Sequence, residues 1–241
     1  MTRIFVAPGV LSAETVTLTG GDAVHVSAAL RMRAGERLVL CDGEGAAAEC
    51  VIISSSPSEV VCRIDHMIDG TPELPVRVHL FQSLPKSDKF ELIIQKTTEL
   101  GVCEIVPVIS ERSISRPDER SLSKKIKRWS DIAREAAQQS GRAVIPAVAP
   151  AISFTDAAGS LPPGGTYLFC DEDERTLPLR SALSGAESDI YVFVGPEGGW
   201  SPRERALALS LGIRPVTFGP RILRCETAPV YVMSCIGYEF G

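Results

Sequence analysis

The chain has 241 residues, 44% of them hydrophobic, with 20 Gly and 17 Pro, enough to bury one large core or two unequal ones. A formal net charge of −5 argues against a protein that coats nucleic acid through bulk positive charge, and no apolar run approaches membrane-spanning length. Seven cysteines without a Cys-x-x-Cys pair, three scattered histidines and no signal-peptide h-region at the N-terminus exclude a recognisable metal motif and point to reduced, mostly buried thiols in a cytoplasmic protein.

Residues 1–72 read as a small β-barrel-like module. Strands are expected at 37–41, 47–53 and 60–64, bounded by Asp42-Gly43, Ser54–Pro57 and Asp69-Gly70, with one helix over 22–32. The stretch Gly70-Thr71-Pro72-Glu73-Leu74-Pro75 is the expected linker. From residue 73 to 241 strands alternate with helices, the pattern of an α/β domain with a largely parallel sheet. Strands fall at 76–84, 103–109, 167–170, 190–194 and 213–218. A helix opens on Asp88 with Glu91 in a capping-box-like start and stops at Gly101; another runs over 121–139. Ser201-Pro202-Arg203-Glu204 combines an N-cap, a first-turn proline and the reciprocal glutamate, and an apolar helix closes the chain over 228–238.

Charge is unevenly spread. Between Glu111 and Arg128 seven cations (Arg112, Arg116, Arg120, Lys124, Lys125, Lys127, Arg128) face three anions (Glu111, Asp118, Glu119), whereas Asp171-Glu172-Asp173-Glu174 is a compact acidic run. Each run by itself is expected to be a solvated face.

Two clusters carry the chemistry. Gly195-Pro196-Glu197-Gly198-Gly199-Trp200 follows one apolar strand, and Gly219-Pro220-Arg221-Ile222-Leu223-Arg224-Cys225-Glu226-Thr227-Ala228 follows another. Ligands of parallel sheets bind beyond the carboxyl ends of the strands, where glycines permit close approach and a helix N-terminus offers free N–H groups. Neither cluster is G-x-G-x-x-G or a P-loop. Thr227 is the expected N-cap of the last helix, and Glu226 a partner for an arginine.

The pair GPEGGW-SPRE and FGPRILRCETA resembles the signature of RsmE-type ribosomal RNA uracil-N3 methyltransferases of the SPOUT superfamily. The resemblance continues through Gln82-Ser83-Leu84-Pro85-Lys86, residues 95–102, Glu111-Arg112-Ser113, Arg128-Trp129 and residues 135–142, and in the first domain through His25, Leu30-Arg31 and Gly35. It implies a PUA-like RNA-binding domain before a methyltransferase domain with a trefoil knot, a homodimer, S-adenosylmethionine as cofactor and small-subunit (16S) ribosomal RNA as substrate. By the same resemblance Gly195, Glu197, Gly198 and Gly199 form one cofactor wall, and Phe218, Gly219, Ile222, Leu223, Arg224 and Thr227 the other. Arg221 or Arg224 is expected to stabilise negative charge on the uracil oxygens, with Glu226 as proton acceptor and Glu197 behind it. Arg31, Arg33, Lys86, Arg112, Arg116, Arg128 and Arg142 are the candidate RNA contacts. Two alternatives stand beside this reading: methylation of a ribose 2′-hydroxyl or another base, and an inactive RNA-binding protein.

Overall fold

In a computed structural model, placement is described for the whole chain apart from Thr71, Ser87, Asp88 and residues 115–118, and apart from the side chains of Glu119 and Arg120. The expected helix start at Asp88 and the candidate contact Arg116 therefore lie outside the described residues. The chain divides into two units, Met1–Glu73 with Ala137–Ile145, and Leu74–Ala136 with Pro146–Gly241.

In the first unit β1 (Arg3–Phe5), β2 (Thr15–Thr19), β3 (Arg37–Cys41), β4 (Ala47–Ser55) and β5 (Glu59–Met67) form one sheet in the order β1-β3-β4-β5-β2. Only the β1–β3 pairing is parallel. Alternation sets the buried face: Val16 and Leu18 point inward between exposed threonines, and they meet Leu38, Leu40, Cys50, Ile52, Val60 and Cys62 in one core. The single helix expected over 22–32 is broken. α1 (Gly20–Val24) widens into a π-type turn at His25–Ala29, where the Leu30 N–H donates five residues back to His25 O at 2.9 Å. Arg31 then takes a φ of +56°, which cannot continue a right-handed helix. Ala137 and Ala143 pack with Phe5, Val39, Cys41 and Ala47, and this apolar patch gathers residues 137–145 into the first unit.

The second unit contains β6 (Arg77–Ser83), α2 (Lys89–Glu99), β7 (Glu104–Ile109), α3 (Glu119–Ser140) up to Ala136, β8 (Ala147–Val148), β9 (Ile152–Ser153) and α4 (Phe154–Gly159). It continues with β10 (Thr166–Cys170), α5 (Leu179–Leu183), β11 (Asp189–Val194), α6 (Pro202–Ser210), β12 (Arg214–Val216) and α7 (Thr227–Phe240). Its sheet has the order β12-β10-β11-β6-β7-β8, with β9 also on β7, and every pairing is parallel. Strands covered on both faces need apolar residues at successive positions. Val78, Leu80, Leu168, Ile190 and Val192 face a core completed by α2, α5 and α7, with Trp129 and Ala133 of α3. Phe81, Val106, Phe169, Tyr191 and Phe193 face the opposite core, closed by α4 and α6.

α6 opens as its sequence requires: Ser201 Oγ accepts from the Glu204 N–H at 3.1 Å, and Glu204 Oε2 accepts from the Ser201 N–H at 2.9 Å. All seven cysteines are free thiols, five of them buried. Among the described residues no helix is long and apolar enough to cross a membrane.

Candidate functional site

Three neighbouring strands, β12, β10 and β11, end at a cavity of about 370 Å³, a volume in the range of small-molecule sites. One wall is the loop after β11 (Gly195, Pro196, Glu197, Gly199, Trp200). The other is the segment after β12, with Phe218, Gly219, Arg221, Ile222, Leu223 and Arg224. Asp171 and Glu172 lie beyond β10, and Lys89 comes from α2.

The first wall is anchored by Trp200. Its indole N–H donates to Cys170 O at 2.9 Å, and its ring stacks on Phe169 with centroids 4.6 Å apart. A Cβ at Gly195 would lie 3.2 Å from that fixed ring, so the close approach requires glycine. Gly199 has a φ of +64°, and Glu172 Oε1 stands 2.7 Å from where its Cβ would be. Gly198, expected on the cofactor wall, does not line the cavity. Its carbonyl accepts from Arg112 Nη1 at 3.0 Å, which turns it towards the Glu111-Arg112 strip. Glu204, only 4% exposed, also accepts from the Glu111 N–H at 2.8 Å and fixes that strip to the head of α6.

The second wall presents the 75% exposed Ile222 with Leu223 and the two guanidiniums. Thr227 is neither the N-cap nor a lining residue. Glu226 precedes the helix with φ −83° and ψ −23° and makes no side-chain cap, while the N–H groups of Thr227 and Ala228 donate to Arg224 O at 2.8 and 2.9 Å. With those donors satisfied by a carbonyl, the entry to α7 needs no hydroxyl cap, and Thr227 is left exposed in the first turn.

Glu226 pairs with a lysine rather than an arginine. Lys89 Nζ lies 3.0 Å from Glu226 Oε2 and 3.4 Å from Glu197 Oε1. The Cys225 thiol donates to Glu226 Oε2 at 3.1 Å, and the Lys86 N–H donates to Glu197 Oε1 at 3.1 Å. Burial pushes both carboxyls up, but each residue's own backbone N–H together with these donors outweighs it and holds both below the usual carboxylate range. Burial, then the adjacent carboxylates, raises the Cys225 thiol to about 12. Glu226 is thus held as an anion by Lys89 and Cys225 rather than by the arginine expected to pair with it.

The acidic run is not wholly a solvated face. Asp171 is 7% exposed and pairs with Arg205 Nη2 at 2.5 Å, while Glu172 is exposed at the cavity. The candidate contact Arg142 is also buried, 4% exposed, with Nε and Nη2 on Glu73 Oε2 at 2.9 and 2.5 Å; a guanidinium so placed does not reach RNA. Arg31, Arg33, Lys86, Arg112 and Arg128 are exposed, Arg128 while pairing with Glu91 at 2.7 Å. Lys89 carries no sequence signal, and Asp171 and Glu172 read only as part of an acidic run, because charge alone does not distinguish site residues from surface ones.

A family model described as an RNA methyltransferase domain matches residues 72–237, and one described as an RNA methyltransferase PUA domain matches residues 18–65. The chain is 34% identical over 233 residues to the ribosomal RNA small subunit methyltransferase E of Bacillus subtilis, covering 94% of this chain and 91% of that one. A solved structure of the Neisseria gonorrhoeae methyltransferase of the same name, bound to S-adenosylmethionine, superposes with a TM-score of 0.91 at 33% identity, covering 100% of this chain and 98% of that one. A Legionella pneumophila methyltransferase in complex with the same cofactor gives 0.84 at 28% identity, covering 99% and 97%.

Proposed function

The chain belongs to the RNA methyltransferase family that includes ribosomal RNA small subunit methyltransferase E, and on that premise we propose that it transfers a methyl group from S-adenosylmethionine to N3 of a specific uridine in small-subunit (16S) ribosomal RNA. The observation that carries this reading is the meeting of both loop clusters around one cavity at the carboxyl ends of β10, β11 and β12.

The residues there fit the cofactor. Apolar Phe218, Ile222 and Leu223 and the backbone groups of two loops suit an adenine, which needs a flat apolar slot with donors and acceptors at its edge. Asp171, Glu172 and Glu197 line the same space and suit a ligand that carries a sulfonium and an ammonium. Gly195, Gly199, Gly219 and Arg224 complete the proposed cofactor contacts. When bound, S-adenosylmethionine supplies an electrophilic methyl group.

The chain's own part is to hold uracil and to favour the loss of its N3 proton. Arg221 and Arg224 both line the cavity, and a guanidinium beside a uracil carbonyl oxygen stabilises the negative charge left as the imide proton passes to water. Positioning supplies the remaining acceleration, since a nucleophile held in line needs little further chemistry. Glu197 and Glu226 hold the loops and do not move the proton. The PUA-like unit and the exposed cations Arg31, Arg33, Lys86, Arg112 and Arg128 bind the RNA backbone. A trefoil knot and a homodimer belong to the same proposal.

Titration calorimetry with S-adenosylmethionine tests the cofactor half. One site per chain is expected, weakened by Leu223→Asp. Absence of binding by the intact chain overturns the reading.

A further inference from the structure

Lys89 belongs to neither loop, yet it meets both. Its ammonium joins Glu197 of one wall to Glu226 of the other, at 3.4 and 3.0 Å, and its side chain lines the cavity between them. Its base is fixed, because Phe90, Ile93 and Ile94 bury the same helix in the core. Each carboxylate has a further donor, the Lys86 N–H for Glu197 and the Cys225 thiol for Glu226, and the same thiol also contributes a hydrogen bond to Glu197. Among the described residues the charged and titratable groups facing Lys89 are Glu197, Cys225 and Glu226.

The placement also breaks a local rule. Lys89 is the first described residue of α2, near a helix N-terminus, where the dipole disfavours a cation. A residue that costs the helix something locally is held there by a tertiary reason. The compact ammonium, with three donors that point in different directions, suits a junction between two carboxylates on separate loops. Without it, the Glu197 and Glu226 carboxylates would be left without the cation they share.

We propose that Lys89 is a positioning residue for methyl transfer: an ammonium clasp from α2 that fixes the spacing of the two cofactor-binding loops through Glu197 and Glu226. The inference rests on the cofactor reading above, and it adds a residue that the two loop motifs do not contain.

The test is calorimetric binding of S-adenosylmethionine and of S-adenosylhomocysteine, whose sulfur is uncharged, to the full chain. Wild type is compared with Lys89→Met, Lys89→Arg and the double variant Lys89→Met/Glu226→Gln. Lys89→Met is expected to weaken both ligands about tenfold, and Lys89→Arg to retain most of the affinity. The double variant recovers much of the loss because it removes the carboxylate left unpaired. Circular dichroism and the unfolding midpoint establish that each variant is folded, and the double variant keeps the question open to measurement should Lys89→Met not fold. Wild-type affinity in folded Lys89→Met overturns the clasp. So does a double variant no tighter than Lys89→Met, or tighter S-adenosylmethionine with unchanged S-adenosylhomocysteine, which marks a purely electrostatic role. A wild-type chain that binds neither ligand overturns the cofactor reading itself; binding by wild type with any of the preceding results overturns the clasp alone.

Discussion

Arg142→Ala separates structure from RNA recognition in the first unit. The Arg142 side chain is 5% exposed and that of Glu73 16%, and two guanidinium donors converge on Glu73 Oε2. The other oxygen, Oε1, accepts from the N–H groups of Ala143 and Val144, both at 3.2 Å, so one carboxylate organises the whole 142–144 turn. Truncating one partner of a buried pair costs about 3–5 kcal/mol. The two backbone donors remain on Oε1 and some water reaches Glu73, which places the loss near the lower end, about 3 kcal/mol. For a chain of this size that lowers the unfolding midpoint by about 6–12 °C. The assay is thermal unfolding by circular dichroism, paired with RNA binding at several salt concentrations below the transition. The slope of log affinity against log salt is expected to be unchanged, whereas loss of a phosphate contact reduces it by about 1. An unchanged midpoint with a shallower salt slope refutes the reasoning and returns Arg142 to the RNA surface.

Gly199→Ala puts a side chain at φ +64° and 2.7 Å from Glu172 Oε1. Glu172 can rotate away, so the cost is mainly backbone strain of about 1–2 kcal/mol, and calorimetry is expected to show S-adenosylmethionine bound about 5- to 30-fold more weakly. Glu226→Gln is expected to slow single-turnover methyl transfer less than about tenfold; a loss of about 10²–10⁴-fold with normal cofactor binding would restore Glu226 as the base. His79 lies between Glu104 (2.8 Å) and Asp189 (3.2 Å). Burial lowers its proton affinity, but Cys103, Glu104 and Asp189 more than compensate and raise its pKa from 6.5 to about 10. Because the folded state favours the protonated ring, the contribution of His79 to stability is complete below pH 6.5 and lost as pH rises through about 10. Denaturant titrations across that window are expected to show the decline, and His79→Gln to flatten it; an equally steep decline in the variant contradicts the assignment.

What the sequence reveals depends on how local the determining interaction is. The Ser201–Glu204 capping box lies within four residues, and its pattern states its geometry. The runs in β10 and β11 announce two-sided burial directly. Elements too short to show a period, such as α4 and α5, leave no such trace. Thr227 has the residue type of an N-cap, but Arg224 O already accepts the N–H groups it would have served. The helix pattern around His25 continues past the point where one carbonyl accepts from five residues on. The ion pairs are the least legible: Arg142 finds Glu73, and Lys89 finds Glu197 and Glu226, only after distant segments of chain meet. The motifs therefore located the cavity, while which charges face ligand and which hold the walls depended on tertiary partners.

The most direct measurement is transfer of labelled methyl from S-adenosylmethionine to small ribosomal subunits that lack the modification, followed by digestion and identification of the labelled nucleoside. The expected result is label in N3-methyluridine from a single site. Label in a ribose-methylated nucleoside or another base, or no transfer by a chain that binds the cofactor, contradicts it.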